Sequence, residues 1–495
     1  MATPIPPNQS AWTSGELAQA TGGRLEGTAE RKHVGVTTDS RACDCKDGAG
    51  SVFVALRGEN TDGHTFITAA IEKGATALVI EEGAQITLPE GVGVDVVNVK
   101  DTLVAFRDLA CVQLSRWRDK GGRLVVVTGS SGKTTTKDMT RALLAVKGTV
   151  LATPGNLNNL IGVPAVLLTL TNSSYAVIEI GMSVPGEIKI LAELLSPDVA
   201  IITNIGSAHA EGVGGIDGVE KEKGALFQAL PETSWMVINA DDKRVVRQAR
   251  TSEAQALRVG RAFEATDYRV HEYESLGLRG SRFLLRTATG LKQIALPLHG
   301  EHIATDFALA YAAAETLARI PFEDAEIAQA INSLSITEGR ATLRRASSGA
   351  IILDDSYNAN PGSMEAAIRT ASELAHKENR RLVVVLGEMK ELGDLTEAAH
   401  ERIGEVVGEV AAKVMISCGG AMTLAAKKAK TLGVSVLNGQ STMAASQLAV
   451  AMTEPGDLIL VKGSRSVGTE RVVEALVLGG APEFPLIEAM GKEAP

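Results

Sequence analysis

Short continuous apolar runs alternate along this chain with stretches whose apolar residues recur at helical spacing. Leu124-Val125-Val126-Val127 is the clearest such run, and it predicts a buried parallel strand. The stretch from Lys137 to Val146 then alternates apolar and polar residues as a helix does. Upstream, Ser51–Leu56 and Ala75–Ile80 read as strands, with a helical stretch from Phe66 to Lys73 between them. A further helix is predicted from about Leu103 to Arg118. Downstream, Tyr175–Ile180 and Val199–Thr203 continue the strand pattern. The last part repeats it with Ala350–Asp355, Leu382–Gly387, Lys413–Cys418, Val434–Leu437 and Asp457–Val461, and helix-patterned segments fill the gaps. Strands separated by helices in this way signal doubly wound parallel sheets.

The segment Asn332 to Arg345 is polar, carries Gly339 and reads as a connector. The expected architecture is therefore α/β in three domains. An N-terminal α/β domain takes 1–101, a central parallel-sheet domain 102–325, and a Rossmann-like doubly wound domain 326–495. A length of 495 residues suits that count. An apolar share of 45% and a charged share of 22% belong to a soluble globular chain. The net charge of −10 argues against nucleic-acid or membrane partners, so bound phosphate must be held by local positive groups. The opening residues lack a signal segment, and no run reaches the roughly 18 apolar residues of a membrane helix. The expected location is cytoplasmic. Cys43, Cys45, Cys111 and Cys418 are too few and scattered for a disulfide framework, and no second Cys or His pair makes Cys43-Asp44-Cys45 a zinc site.

The candidate chemistry starts at Gly129-Ser130-Ser131-Gly132-Lys133-Thr134-Thr135, between the predicted strand and helix. Two glycines let the backbone turn tightly, so that N–H groups converge on a phosphate at the helix N-terminus. Lys133 then neutralises the outer phosphates, and Thr134 offers a hydroxyl to a magnesium ion. Val127 occupies the place of the first glycine of the common G-x-x-x-x-G-K-[ST] form, which leaves the tighter T-G-x-x-G-K-T-T. The chain is expected to bind a nucleoside triphosphate. Glu179 ends an apolar strand, a usual place for a magnesium-holding carboxylate, though it also reads as an ordinary strand-end glutamate. His209 follows the next strand, at the sheet edge where the loop emerges. Lys221 and Lys223, in Glu220-Lys221-Glu222-Lys223-Gly224, read on composition as a solvated helix face. Asp354-Asp355-Ser356-Tyr357-Asn358-Ala359-Asn360-Pro361 suits a nucleotide ribose and base, or equally a plain turn with an N-cap. Val461-Lys462-Gly463-Ser464-Arg465 places two cations where an anionic substrate could be held.

Taken together, T-G-S-S-G-K-T-T, E-I-G-M-S-x-x-G-E-I, T-N-I-G-x-A-H, N-A-D-D (Asn239 to Asp242), D-D-S-Y-N-A-N-P and V-K-G-S-R resemble the Mur ligases, ATP-dependent enzymes that build the peptide stem of bacterial cell-wall precursors. The resemblance extends from about Val34 to about Glu470. D-D-S-Y-N-A-N-P and G-N-L-N-N-L-I-G-V-P (Gly155 to Pro164) are typical of the member that adds D-alanyl-D-alanine to a UDP-N-acetylmuramoyl tripeptide. The resemblance implies that Gly129 to Thr135 bind the ATP phosphates. It implies that Glu179 and His209 help hold magnesium, and that Lys223 is the lysine that becomes carbamylated, with Lys221 its rival. Asn239, His302, Arg340, Asp355 and Asn358 would line the nucleotide. Asp39, Ser40, Arg41, Gly63 and His64 would hold the UDP-sugar end, and Asn156, Asn159, Lys462 and Arg465 would complete the substrate site. A monomer is expected. The family has Lys-Gly-Glu where this chain has Lys223-Gly224-Ala225, and G-x-H-N-x-x-N where it has Gly300-Glu301-His302-Ile303-Ala304-Thr305-Asp306. The rivals are a sister ligase adding a diamino acid, a polyglutamate-adding relative, a non-catalytic nucleotide-binding regulator, and a GTPase switch. The chain lacks the N-K-x-D segment of the last.

Overall fold

The run Leu124–Val127 forms the middle of the strand Arg123–Thr128, buried on both faces, in the computed structural model of the chain. The structure describes residues 3–46, 49–58, 61–89, 93–261, 267–335 and 337–479. Within them this strand is flanked by Tyr175–Glu179 on one side and Val199–Ile202 on the other, both parallel to it. The outer strands run on from those two, so the chain reverses its direction of travel across the sheet at this strand. A crevice opens at such a point, outside the carboxyl ends of the strands.

Among the described residues the central sheet has nine strands, ordered Val150–Ala152, Tyr175–Glu179, Arg123–Thr128, Val199–Ile202, Trp235–Asn239, Gln255–Gly260, Tyr268–Ser275, Ser281–Thr287 and Gly290–Leu296. The last two are antiparallel additions at one edge of the expected parallel sheet. Their alternating faces cover the long helix Glu301–Ala318, whose apolar residues are buried almost all round. Phe283 meets Phe307 edge-on at 6.0 Å, and Tyr311 meets Phe322 at 5.5 Å. The alanines of this helix let the phosphate-loop helix, Lys133–Ala145, pack closely against it.

The first domain carries a smaller sheet ordered Arg24–Glu26, Asp95–Val99, Ala75–Glu81, Ala49–Val54 and Val36–Thr37. Its core is continuous with that of the central domain: Trp12, Val54 and Val97 join Phe106, Trp117, Leu124 and Val166 in one apolar cluster. The helix Thr102–Arg118 sits in that cluster, started by Asp101, whose carboxylate accepts from the N–H groups of Leu103 and Val104.

The third domain has the order Thr342–Arg345, Ile351–Asp355, Asp457–Lys462, Arg381–Leu386, Val414–Cys418 and Ser435–Gly439. All pairs are parallel except the first, so the expected connector ends as an antiparallel edge strand. Its apolar clusters are its own, with Leu278 of the central domain packed at their margin. What joins it to the rest is mainly polar. Asn360 donates to the Ser130 carbonyl at 3.2 Å, and the Leu278 N–H donates to Glu378 at 2.9 Å. The first two domains are thus welded by a shared core, and the third is attached by a seam that solvent can replace.

Phe307→Ala removes a fully buried ring from the aromatic cluster. The expected loss is about 3–5 kcal/mol, read as a lower denaturant midpoint of the transition that unfolds the central domain.

Candidate active site

The phosphate loop is shaped by two glycines whose backbone no other residue would accept. Gly129 has φ 152°, and an added Cβ would lie 1.8 Å from the Thr203 hydroxyl. Gly132 has φ 77° and caps the helix Lys133–Ala145 with no side chain. The first N–H groups of any helix lack intrahelical partners, and here the capping residue Gly132 offers those of Lys133, Thr134 and Thr135 no side-chain acceptor. The loop is braced from the neighbouring strand. Asn204 accepts from the Ser131 N–H at 3.0 Å and donates to the Ser131 carbonyl at 3.0 Å. The Ser130 hydroxyl exchanges hydrogen bonds with Gly206 at 2.8 and 3.0 Å. Lys133, expected as an exposed loop residue, is half-buried with Nζ donating to the Gly129 carbonyl at 2.8 Å. Burial lowers its pKa, Glu179 opposes that, and Arg340 adds to it.

Glu179 stands beside Val127 in the register of the sheet, which puts its carboxylate next to the loop. It accepts from the Thr134 hydroxyl at 2.8 Å and from Asn158 at 2.9 Å. A hydroxyl and a carboxylate side by side are hard oxygen donors of the kind magnesium takes, with phosphate oxygens and waters supplying the rest. The donor set therefore fits that ion. His209 lines the same cleft.

Lys223 corrects the reading of a solvated helix face. The helix Gly215–Gln228 turns Lys221 to solvent and Lys223 inward, where it is 1% exposed. Burial and the neighbouring Lys133 push its pKa well below the ordinary lysine value, with Glu222 opposing. A buried amine in that state favours its neutral, nucleophilic form.

One cleft of about 690 Å³ collects most of the candidates. Ser130, Ser131, Gly132, Lys133, Thr134, Thr135, Glu179, His209, Lys223 and His302 line it from the central domain, with Asn156 and Asn159 from the loop after Ala152. Arg340, Asp355, Asn358, Lys462 and Arg465 line it from the far side. The Arg340 guanidinium lies 4.2 Å from the centre of the Tyr357 ring, with Nε buried and unpartnered. Lys462 is already committed, donating to Asp355 at 2.5 Å and to the Asn358 carbonyl at 2.9 Å. It therefore holds Asp355 in place rather than standing free for a substrate carboxylate. Burial lowers the His302 pKa, with Asp355 opposing and Lys462 reinforcing.

Other candidates lie elsewhere. Asn239 does not line the cleft: it donates to the Thr203 carbonyl at 2.7 Å and accepts from the Asp241 N–H at 3.1 Å. Asp39, Ser40, Arg41, Gly63 and His64 sit on two short turns that follow adjacent parallel strands of the first domain, outside the cleft. Asp39 chelates Arg41 at 2.8 and 2.9 Å. His64 has both ring nitrogens occupied, by Asp62 at 2.6 Å and by the Glu81 N–H at 3.0 Å, so it braces the turn. Reasoning from sequence missed Asn158, Asn204, Asn360 and Tyr357. All four lay inside motifs already marked, and what was missed is which residue of each motif faces the loop or cleft.

The chain matches three models: the Mur ligase family catalytic domain over residues 33–113, the Mur ligase middle domain over 127–314, and the Mur ligase glutamate ligase domain over 339–465. It is 36% identical over 477 residues to the UDP-N-acetylmuramoyl-tripeptide–D-alanyl-D-alanine ligase of Escherichia coli, covering 94% of this chain and 99% of that one. The enzyme of the same name from Bacillus subtilis is 34% identical, with 90% of this chain and 93% of the relative covered. Among solved structures, MurF from Acinetobacter baumannii superposes with a TM-score of 0.81 at 27% identity, over 96% of this chain and all (100%) of that chain. MurF ligase from Thermotoga maritima in complex with ADP gives 0.76 at 26% identity, over 90% of this chain and 97% of the other. With that identity over nearly its whole length, and the three domain models in order along it, the chain belongs to the Mur ligase family.

Proposed function

We infer that this chain is an ATP-dependent ligase that joins D-alanyl-D-alanine to a UDP-N-acetylmuramoyl tripeptide in peptidoglycan synthesis, releasing ADP and phosphate. The observation that carries the reading is the single cleft in which an uncapped phosphate loop of one domain faces Arg340, Tyr357 and the Asp355–Lys462 pair of another. A carboxylate resists attack by an amine, because its charge and resonance repel the nucleophile. Transfer of the ATP γ-phosphoryl to that carboxylate forms an acyl phosphate and leaves ADP. The dipeptide amine then attacks the acyl carbon, the C–O bond to phosphate breaks with its electron pair, and the amine loses a proton. Lys133 and Arg340 supply positive charge around the transferred group, work done by position and electrostatics. Closure of the polar seam keeps water from the acyl phosphate.

Magnesium bound at Thr134, Glu179 and His209 would neutralise charge on the phosphates. Lys223 is the lysine to be carbamylated: its neutral Nζ adds to carbon dioxide, forming an N–C bond and releasing a proton to solvent. The resulting anion would sit beside Lys133 and restore the charge balance that two neighbouring amines lack. Its burial, with Lys221 in solvent, supports Lys223 over Lys221. The first-domain turns carrying Ser40 and Arg41 are proposed to hold the UDP-sugar end, and the enzyme is proposed to act in the cytoplasm.

The defining assay is phosphate release with the muramoyl tripeptide, with and without D-alanyl-D-alanine. ATP binding with no phosphate released under either condition would favour a plain nucleotide-binding role. Lys133→Ala should lower turnover by about 10²–10³-fold without unfolding the chain, checked by circular dichroism beside the assay.

Lys223→Ala should also lose activity, and a short carboxylate added in solution should restore part of it. Lys221→Ala should be nearly silent. Intact-mass measurement of gently handled wild type should show the added carbon dioxide, absent in Lys223→Ala.

Arg41→Ala is expected to raise KM for the muramoyl peptide about tenfold and leave kcat unchanged. A contact far from the reacting bond acts equally on ground and transition states. Steady-state kinetics with D-alanyl-D-alanine saturating separates the two constants.

A further inference from the structure

His209 of the central domain and Glu391 of the third face each other across the polar seam. His209 Nδ1 lies 2.5 Å from Glu391 Oε2, and the Glu211 N–H donates to the Glu391 carbonyl at 3.3 Å. Both residues adopt the left-handed backbone region, with φ 62° at His209 and 63° at Glu391. Side chains disfavour that region. One such residue on each side of a single contact indicates that both backbones are held to make it.

A carboxylate only accepts hydrogen bonds, so the imidazole must carry its proton on Nδ1. Nε2 then keeps its lone pair, the form in which histidine ligates a metal. The His209 ring lines the cleft that also holds Thr134, Glu179 and Lys223. Glu391 itself touches neither the phosphate loop nor Glu179 among the contacts of the described residues.

We propose that Glu391 is a positioning residue for the metal site: docking of the third domain fixes His209 as the Nδ1–H tautomer and leaves Nε2 free for the divalent cation. The proposal rests on His209 being a metal ligand, as inferred above. It makes the cation and the third domain mutually dependent. A cation on Nε2 makes Nδ1–H a better donor, which tightens the seam, and the tightened seam holds the ring for the cation. The metal site is then complete only when the domain that closes over the acyl phosphate is in place.

The test uses the full chain with 15N-labelled histidine, free of metal. Wild type should show His209 as the Nδ1–H tautomer. Glu391→Met, of similar shape but without an acceptor, should shift it towards Nε2–H. Glu391→Asn, at ease in the left-handed region and too short to reach, should do the same and covers a failure of Glu391→Met to fold. Glu391→Gln, whose amide oxygen still accepts, should keep the wild-type tautomer. Manganese titrated by electron paramagnetic resonance, with a non-hydrolysable ATP analogue present, should bind about tenfold more weakly to Glu391→Met and Glu391→Asn and near normally to Glu391→Gln. Nucleotide binding without metal should be equal in all. The same tautomer in wild type and in both variants lacking the acceptor would overturn the positioning role. Manganese affinity unchanged in His209→Ala would instead overturn the metal-ligand reading on which it rests, whatever the tautomer shows.

Discussion

The structure depends on a helix start that the protein declines to satisfy. The N–H groups of Lys133, Thr134 and Thr135 point out of the helix N-terminus with only Gly132 before them, and Gly132 has no side chain to cap them. Helix N-terminal donors beside a half-buried cation become favourable when a polyphosphate accepts from them. The chain around the loop braces it in that shape. Asn204 and Ser130 tie the loop to the next strand, and Thr203 fills the space that any Cβ at Gly129 would need. The long buried helix Glu301–Ala318 supports the loop helix from behind, and the antiparallel strands keep water from that support.

The same electrostatic demand shapes the domain seam. A triphosphate brings more negative charge than Lys133 can balance, and the remaining cations come from elements outside the central sheet. Arg340 is poised on Tyr357 with an unpartnered Nε, while Lys462 has spent its charge on Asp355. Free and committed cations at one strand edge therefore do different work: one awaits an anion, the other fixes the wall. Because this wall shares little apolar core with the central domain, it can separate to admit substrates and return at modest cost.

How much of this was legible in the sequence follows from how each part is held together. Buried parallel strands are continuous apolar runs, so Leu124–Val127, Tyr175–Ile180 and Leu382–Gly387 were readable to within a residue or two. The phosphate loop was readable because its glycines are demanded by backbone geometry at a fixed spacing. The strands Ser281–Thr287 and Gly290–Leu296 were missed, although Ser281-Arg282-Phe283-Leu284-Leu285-Arg286-Thr287 alternates between buried and outward positions. A half-buried strand gives a weaker signal than a buried run. Lys223 was misread on composition for a different reason. Glu220, Lys221, Glu222 and Lys223 are one charged run, yet helical rotation buries the first and last and exposes Lys221. Composition cannot see rotation; helical phase can, and Val219, Leu226 and Phe227 mark the inner face. His64 and Asn239 were assigned from motifs alone, and only the hydrogen-bond partners reveal that both brace the backbone.

Asp306 is a departure from the family pattern whose surroundings govern its charge. It stands where the family carries an asparagine, under the phosphate loop, so close that a Cβ on Gly132 would lie 2.6 Å from its Oδ2. An ionised carboxylate there would oppose the incoming phosphates. The residue is 6% exposed, however, and burial alone raises its pKa well above the usual carboxylate range. Burial favours the protonated acid, since a charge in that place lacks water and a counter-ion. A protonated carboxyl has one carbonyl acceptor and one O–H donor in a plane, close in shape to the carbonyl and N–H₂ of an amide. The approach of a polyphosphate pushes in the same direction, because a second negative charge makes ionisation harder still. A protonated Asp306 would thus present the loop with a neutral group close in shape to an amide.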